Sequence, residues 1–135
     1  MRARVGPDHE RIMDCLRDHL PADGNVVRDS TVPAYTWGNQ LLPILEPRTS
    51  LHPSSSAIGP GLPLAIGAAF GTGKKTVLLQ GDGGFMLHIG ELATVVQDRP
   101  PIVFCLFNDV GYVGLRAVQT LRFELRMPGA TLRTP

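Results

Sequence analysis

The chain is poor in cysteine, in net charge and in long hydrophobic runs, and each shortage closes off a class of protein. Its two cysteines, Cys15 and Cys105, form neither a CxxC pair nor a framework of bridges, so a disulfide-stapled secreted fold is excluded. Both read as reduced, inert core thiols. The 13 Lys and Arg nearly balance the 12 Asp and Glu, so no electrostatic field points to nucleic acid or an anionic membrane. A small-molecule ligand is the better expectation. Hydrophobic residues make up 43% of the chain, yet runs such as Ile102 to Phe107 fall far short of the ~20 residues of a membrane span. Met1 to Gly6 is followed by Asp8-His9-Glu10-Arg11 in place of an apolar stretch, which does not read as a secretory signal; a cytoplasmic location is the expectation. There is no internal repeat.

What is abundant is glycine and proline, with 15 and 12 copies in 135 residues, clustered in Gly59 to Pro63, Gly71 to Gly73, Gly81 to Gly84 and Gly111 to Gly114. Tight loops between regular elements account for such clusters, and the length suits one domain. Asp8 to Leu20 places Ile12, Met13, Leu16 and Leu20 on one face, predicting an amphipathic helix that ends at Pro21. Asn25 to Arg28 predicts a short strand, Tyr35 to Leu45 a helix interrupted or ended by Pro43, Thr49 to Leu51 a strand, and Leu62 to Phe70 a small-residue helix. Thr76 to Gln80 and Ile102 to Phe107 are continuous apolar runs, as expected of central parallel strands covered on both faces. Gly84 to Gln97 between them predicts one helix, apolar almost all round, which completes a βαβ unit. Met127 to Pro135 reads as a disordered tail, with the domain proper over 1–127.

In a βαβ unit both strands open onto one edge, where ligands bind. The first strand runs into Gly81-Asp82-Gly83-Gly84 and the second into Asn108-Asp109-Val110-Gly111, so Asp82 and Asp109 reach one crevice from different strands. Oxygen ligands suit a hard ion such as Mg²⁺, which takes its remaining ligands from phosphate and water. The amides of Gly83 and Gly84, opening a helix, suit an anion. A metal-bridged diphosphate fits both features.

Gly81-Asp82-Gly83, the 24 residues 84 to 107, and Asn108-Asp109 resemble the GDG…NN signature of thiamine-diphosphate-dependent enzymes. A second block, Ile58 to Ala68, resembles the "MGxGLPxAIGA" stretch of acetolactate synthases and benzoylformate decarboxylases, and Glu91 to Thr94 resembles their "ELxTA". The resemblance covers Val26 to Leu115. It implies a three-layer, Rossmann-like α/β fold with a mainly parallel sheet flanked by helices, incomplete at its C-terminus, and thiamine diphosphate with Mg²⁺ as cofactors. It implies Asp82, Asp109 and the Gly111 carbonyl as metal ligands, with Ile58, Gly81, Asp82, Gly83, Gly84, Asn108 and Tyr112 around the cofactor. Asn108 would shape the loop, and Ile58 would prop the cofactor in its bent form. The activity implied is decarboxylation of a pyruvate-like 2-oxo acid, with ligation of the product to an acceptor open.

The chain departs from the family pattern at three points. Asp109 replaces the second Asn, keeping an oxygen ligand while adding negative charge. Val113 separates Tyr112 from Gly114, where the family runs Tyr-Gly. The Glu that activates the cofactor belongs to a pyrimidine-binding domain that nothing here resembles, so the catalytic residue is unknown. The chain is therefore expected to be a truncated or split piece, inactive alone, with that domain or subunit as partner in a homo- or hetero-oligomer. The alternative is a non-catalytic remnant or interaction module of the same fold. Taken alone, Gly81 to Gly84 is an ordinary capped turn, Asp109 a turn former, Ile58 a core residue, and Trp37 and Tyr112 packing. His52 and His88 lack a second ligand at metal spacing. Gly71 to Thr76 imitates a phosphate loop but lacks its first Gly and its Ser or Thr after Lys74, and no dinucleotide fingerprint is complete.

Overall fold

A computed structural model describes residues 6–123, 129 and 130; the expected tail, apart from Gly129 and Ala130, lies outside the described residues. The elements in chain order are α1 (Pro7–His19), β1 (Asn25–Arg28), a π-helical turn (Ala34–Gly38), β2 (Ser50–Leu51), α2 (Gly61–Thr72), β3 (Thr76–Gly81), α3 (Asp82–Leu87), a 3-10 turn (Ile89–Glu91), α4 (Leu92–Asp98), β4 (Ile102–Phe107) and α5 (Val113–Arg122). The four strands form one sheet in the order β2-β1-β3-β4, and every pair is parallel. The expected parallel sheet flanked by helices is therefore present.

Alternation along the strands divides the apolar residues between two faces. Val26, Val77 and Leu79 pack with Met13 and Leu16 of α1, with Trp37 in the π turn and with Leu42 after it, while Cys105 and Phe107 adjoin them. Val27 and Leu78 pack with Leu62, Ala65, Ile66 and Ala68 of α2, joined by Phe85, Leu92, Val95, Ile102 and Phe104. Helices thus cover both faces, making three layers. β3 lies between β1 and β4, and its Leu78 and Leu79 are fully buried. Each such leucine contributes about 1.5–3 kcal/mol of burial. Trp37 is also buried, its Nε1 donating to His9 Nδ1 at 2.8 Å while the His9 ring stacks on Phe107.

Several expectations need correction. The helix predicted over Tyr35 to Leu45 is shifted and shorter: helical geometry covers 32–40, π-helical over Ala34–Gly38, and ends before Pro43. The single helix predicted over Gly84 to Gln97 is α3, a 3-10 turn and α4; His88 leaves helical geometry (φ −127°, ψ 27°) where Gly59 lies against Leu87 and His88. Its apolar outer residues are not covered: Met86, Leu87, Ile89 and Val96 are exposed. β4 stands at the edge of the described sheet, not at its centre, with Val103 and Leu106 exposed. Cys15 is exposed on α1 and is no core thiol, whereas Cys105 is half-buried. The imitation phosphate loop is the end of α2, where Gly73 (φ 66°) donates its N–H to Ala69 O.

Candidate functional site

All strands being parallel, the carboxyl ends of β1, β3 and β4 meet along one edge, and a cavity of about 340 Å³ opens there. β3 ends at Gly81 and passes directly into α3, whose first residue is Asp82 and whose start no side chain caps. The first-turn amides of a helix lack intrahelical partners, so this uncapped start faces the cavity with hydrogen-bond donors. From the end of β4 the chain turns back through Asn108 to Tyr112. Asn108 Oδ1 accepts the Val110 N–H at 3.1 Å, Val110 (φ 54°) and Gly111 (φ 141°) adopt left-handed backbone, and Arg116 Nη2 donates to the Asp109 carbonyl at 3.0 Å. This closes the loop onto α3, where the Gly111 N–H donates to Asp82 Oδ2 at 2.9 Å and the Tyr112 hydroxyl to the Gly83 carbonyl at 3.4 Å.

The cavity lining contains Ile58, Gly81, Asp82, Gly83, Gly84, Asp109, Gly111 and Tyr112, so sequence positions more than fifty residues apart face one space. Asn108 lies outside it, exposed, and lines a larger groove of about 750 Å³ with His9, Trp37 and Phe107. Asp109 is exposed and borders both spaces. Ile58 is 41% exposed, which rules out the reading as a core residue. His52 and His88 are exposed. Among the described residues no three His, Cys, Asp or Glu side chains cluster as a metal site; the carboxylates in the cavity lining are those of Asp82 and Asp109.

Gly83 and Gly84 have a packing role that spacing did not reveal. A Cβ on Gly83 would lie 2.5 Å from the Tyr112 ring, and one on Gly84 would lie 2.4 Å from Asp29 Oδ2. Asp29 itself was missed. Its buried carboxylate accepts the Gly59 N–H on both oxygens (3.1 and 2.9 Å) and Gln80 Nε2 at 2.7 Å, while Gln80 Nε2 also reaches the Gly59 carbonyl at 3.2 Å. This clamp ties the ends of β1 and β3 to the Ile58-Gly59 turn, where Gly59 (φ 111°) needs glycine's freedom. Ser30 and Thr31 follow on the cavity wall. Ser30 Oγ donates to the Ser56 and Ala57 carbonyls at 2.7 and 2.9 Å, and Thr31 Oγ1 lies beside Gly81. The available signal was positional: Asp29-Ser30-Thr31 leaves β1 as Asp82 leaves β3, polar residues at the carboxyl end of a parallel strand.

Order, handed-over helices and a crevice at the carboxyl edge define a Rossmann-like α/β domain. Within that class, residues 33–133 match the C-terminal TPP binding domain of thiamine pyrophosphate enzymes. The chain is 40% identical over 104 residues to a probable 2-ketoarginine decarboxylase of Pseudomonas aeruginosa, covering 75% of this chain and 18% of that one. It is 32% identical over 119 residues to the acetolactate synthase isozyme 2 large subunit of Escherichia coli, covering 87% of this chain and 22% of that one. Among solved structures, a thiamine diphosphate-dependent 4-hydroxybenzoylformate decarboxylase of Rhodococcus jostii superposes with a TM-score of 0.82 at 25% identity, covering 97% of this chain and 25% of that one. The chain belongs to the thiamine pyrophosphate enzyme family, through its C-terminal TPP-binding domain. It spans about a fifth of the length of the curated relatives it matches.

Proposed function

We propose that this chain holds the diphosphate end of thiamine diphosphate, with Mg²⁺, for an acetolactate-synthase-like enzyme that decarboxylates a pyruvate-like 2-oxo acid. The observation that carries the reading is the single cavity lined by Asp82, Asp109, Gly111, the glycine pair and Ile58 in a chain of this family. Asp82 and Asp109 carboxylates and the Gly111 carbonyl would ligate the metal, a donor set of hard oxygens that leaves positions for phosphate. The uncapped start of α3 and the Thr31 hydroxyl would donate to the diphosphate, and the exposed Ile58 would support the cofactor's ring portion. When bound, the cofactor supplies the electron sink for decarboxylation. The names of the relatives, decarboxylases of 2-ketoarginine and benzoylformate and acetolactate synthases, support a 2-oxo acid as substrate.

Asp82 has two tasks in this scheme. Its Oδ2 fixes the 108–112 loop through Gly111, so metal binding and loop position are coupled. The activating Glu comes from a pyrimidine-binding domain, on the same polypeptide or a partner subunit, within a cytoplasmic oligomer. Calorimetric titration of thiamine diphosphate, with and without Mg²⁺, into this chain assembled with such a domain tests the assignment. Asp82→Ala should weaken Mg²⁺-dependent binding by at least about tenfold; unchanged affinity overturns the site. Binding retained with no turnover of pyruvate or benzoylformate would instead support a non-catalytic module.

A further inference from the structure

Arg28 is a buried cation with no counter-ion among the described residues. It ends β1, is 9% exposed, and donates only to neutral acceptors: Nη1 to the Gly38 carbonyl at 3.3 Å and Asn39 Oδ1 at 2.6 Å, Nη2 to Ser50 Oγ at 2.7 Å. Its Nε–H has no acceptor, and among the described residues no carboxylate forms an ion pair with it. Burial lowers its pKa, the sign that the charge is poorly compensated. A buried charge is costly unless paired.

Arg28 lines a second cavity of about 160 Å³, separated from the cofactor cavity by Ser30, Tyr35 and Ser56, which border both. Polar groups able to donate remain free around it. Asn39 has committed its Oδ1 to Arg28, so its amide N–H groups are without an acceptor among the described residues, and the exposed ring of His52, which can donate through one nitrogen, has no hydrogen-bond partner among them. Ser30 Oγ, already donating to carbonyls, takes the Tyr35 hydroxyl as its donor at 2.7 Å. The acidic residue of the lining, Asp29, has both oxygens engaged by Gly59 and Gln80.

We propose that this second cavity binds a small carboxylate, paired with Arg28 and hydrogen-bonded by Asn39 and His52. One guanidinium charge is matched by one carboxylate, whereas a phosphate dianion would leave one charge unmatched. The site needs neither Mg²⁺ nor thiamine diphosphate. Its place beside the cofactor cavity makes it the seat for a second carboxylate on the substrate, an extension that rests on the function proposed above.

The full chain, free of Mg²⁺ and thiamine diphosphate, is titrated with sodium acetate at constant ionic strength while the Arg28 Nε–H is followed by proton–nitrogen NMR. The expected result is a saturable shift with a dissociation constant on the order of millimolar. Asn39→Asp supplies Arg28 with an internal counter-ion at an exposed position and should weaken acetate at least about tenfold. Arg28→Met should abolish the response; if that variant does not fold, Asn39→Asp and His52→Ala carry the test. Acetate producing no saturable shift, equal affinity in Asn39→Asp, or tighter binding of inorganic phosphate than of acetate each overturns the proposal. None of these outcomes bears on the cofactor site, whose own test is the Asp82 titration.

Discussion

Replacing Gly84 by alanine adds one methyl group where the site has no room for it. An ideal Cβ there lies 2.4 Å from Asp29 Oδ2, 3.2 Å from Ile58 Cγ2 and 3.4 Å from Gln80 Nε2. Asp29 must withdraw by about 1 Å to regain ordinary contact at ~3.5 Å. Its Oδ2 is held at 2.9 Å by Gly59 and 2.7 Å by Gln80, so a retreat of that size takes at least one of these bonds beyond hydrogen-bonding range. A hydrogen bond to a charged group is worth about 1.5–3 kcal/mol and overpacking costs about 1–3 kcal/mol, while replacing a helical glycine returns about 0.5–1 kcal/mol. The net loss is about 2–5 kcal/mol. Urea unfolding followed by fluorescence of Trp37, the chain's one tryptophan and a buried one, reads this as a midpoint lowered by about 1–3 M. In an Asp29→Ala background the same substitution should cost less than about 1 kcal/mol, because the opposing oxygen is gone. A Gly84→Ala midpoint within about 0.2 M of the parent, or equal losses in both backgrounds, refutes the argument.

Leu78→Ala should destabilise the chain by about 2–5 kcal/mol in the same urea assay, since Leu78 is fully buried between α2 and the sheet. A thiol reagent at mildly alkaline pH should modify exposed Cys15 well before Cys105, as resolved by mass spectrometry of the peptides. Burial, and secondarily Cys15, push the Cys105 thiol up, so its contribution to stability is complete below the unfolded thiol pKa and is lost as pH rises through the folded value. Unfolding in urea at increasing alkaline pH should therefore show a falling midpoint that Cys105→Ala flattens. Removing Mg²⁺ with a chelator should weaken thiamine diphosphate binding to the assembled enzyme far more for the parent than for Asp82→Ala, measured by calorimetry.

Much of the fold was legible because its signals are local. The runs Thr76 to Gln80 and Ile102 to Phe107 marked β3 and β4, and the glycine-bounded turns after them marked the ligand edge. Other features were illegible because they depend on what lies across the fold. Gly84 to Gln97 is periodic enough for one helix, yet it breaks at His88, where Gly59 from a distant segment lies against Leu87 and His88. Apolar composition made β4 look central, although composition does not report which neighbour is present. Cys15 and Cys105 look equivalent in sequence, and only position on α1 or β4 separates them.

The sequence by itself determined the parallel α/β character, the family and the pairing of Asp82 with Asp109 at one edge, because strand periodicity and short motifs are properties of neighbouring residues. Only the tertiary structure decided that Asp29 clamps Gly59 to Gln80, that Gly83 and Gly84 are bare because Tyr112 and Asp29 fill the space above them, and that Arg28 is buried without a counter-ion among the described residues. Those are contacts between distant segments, fixed when the sheet brings β1, β3 and the loop after β4 together, and no local pattern encodes them.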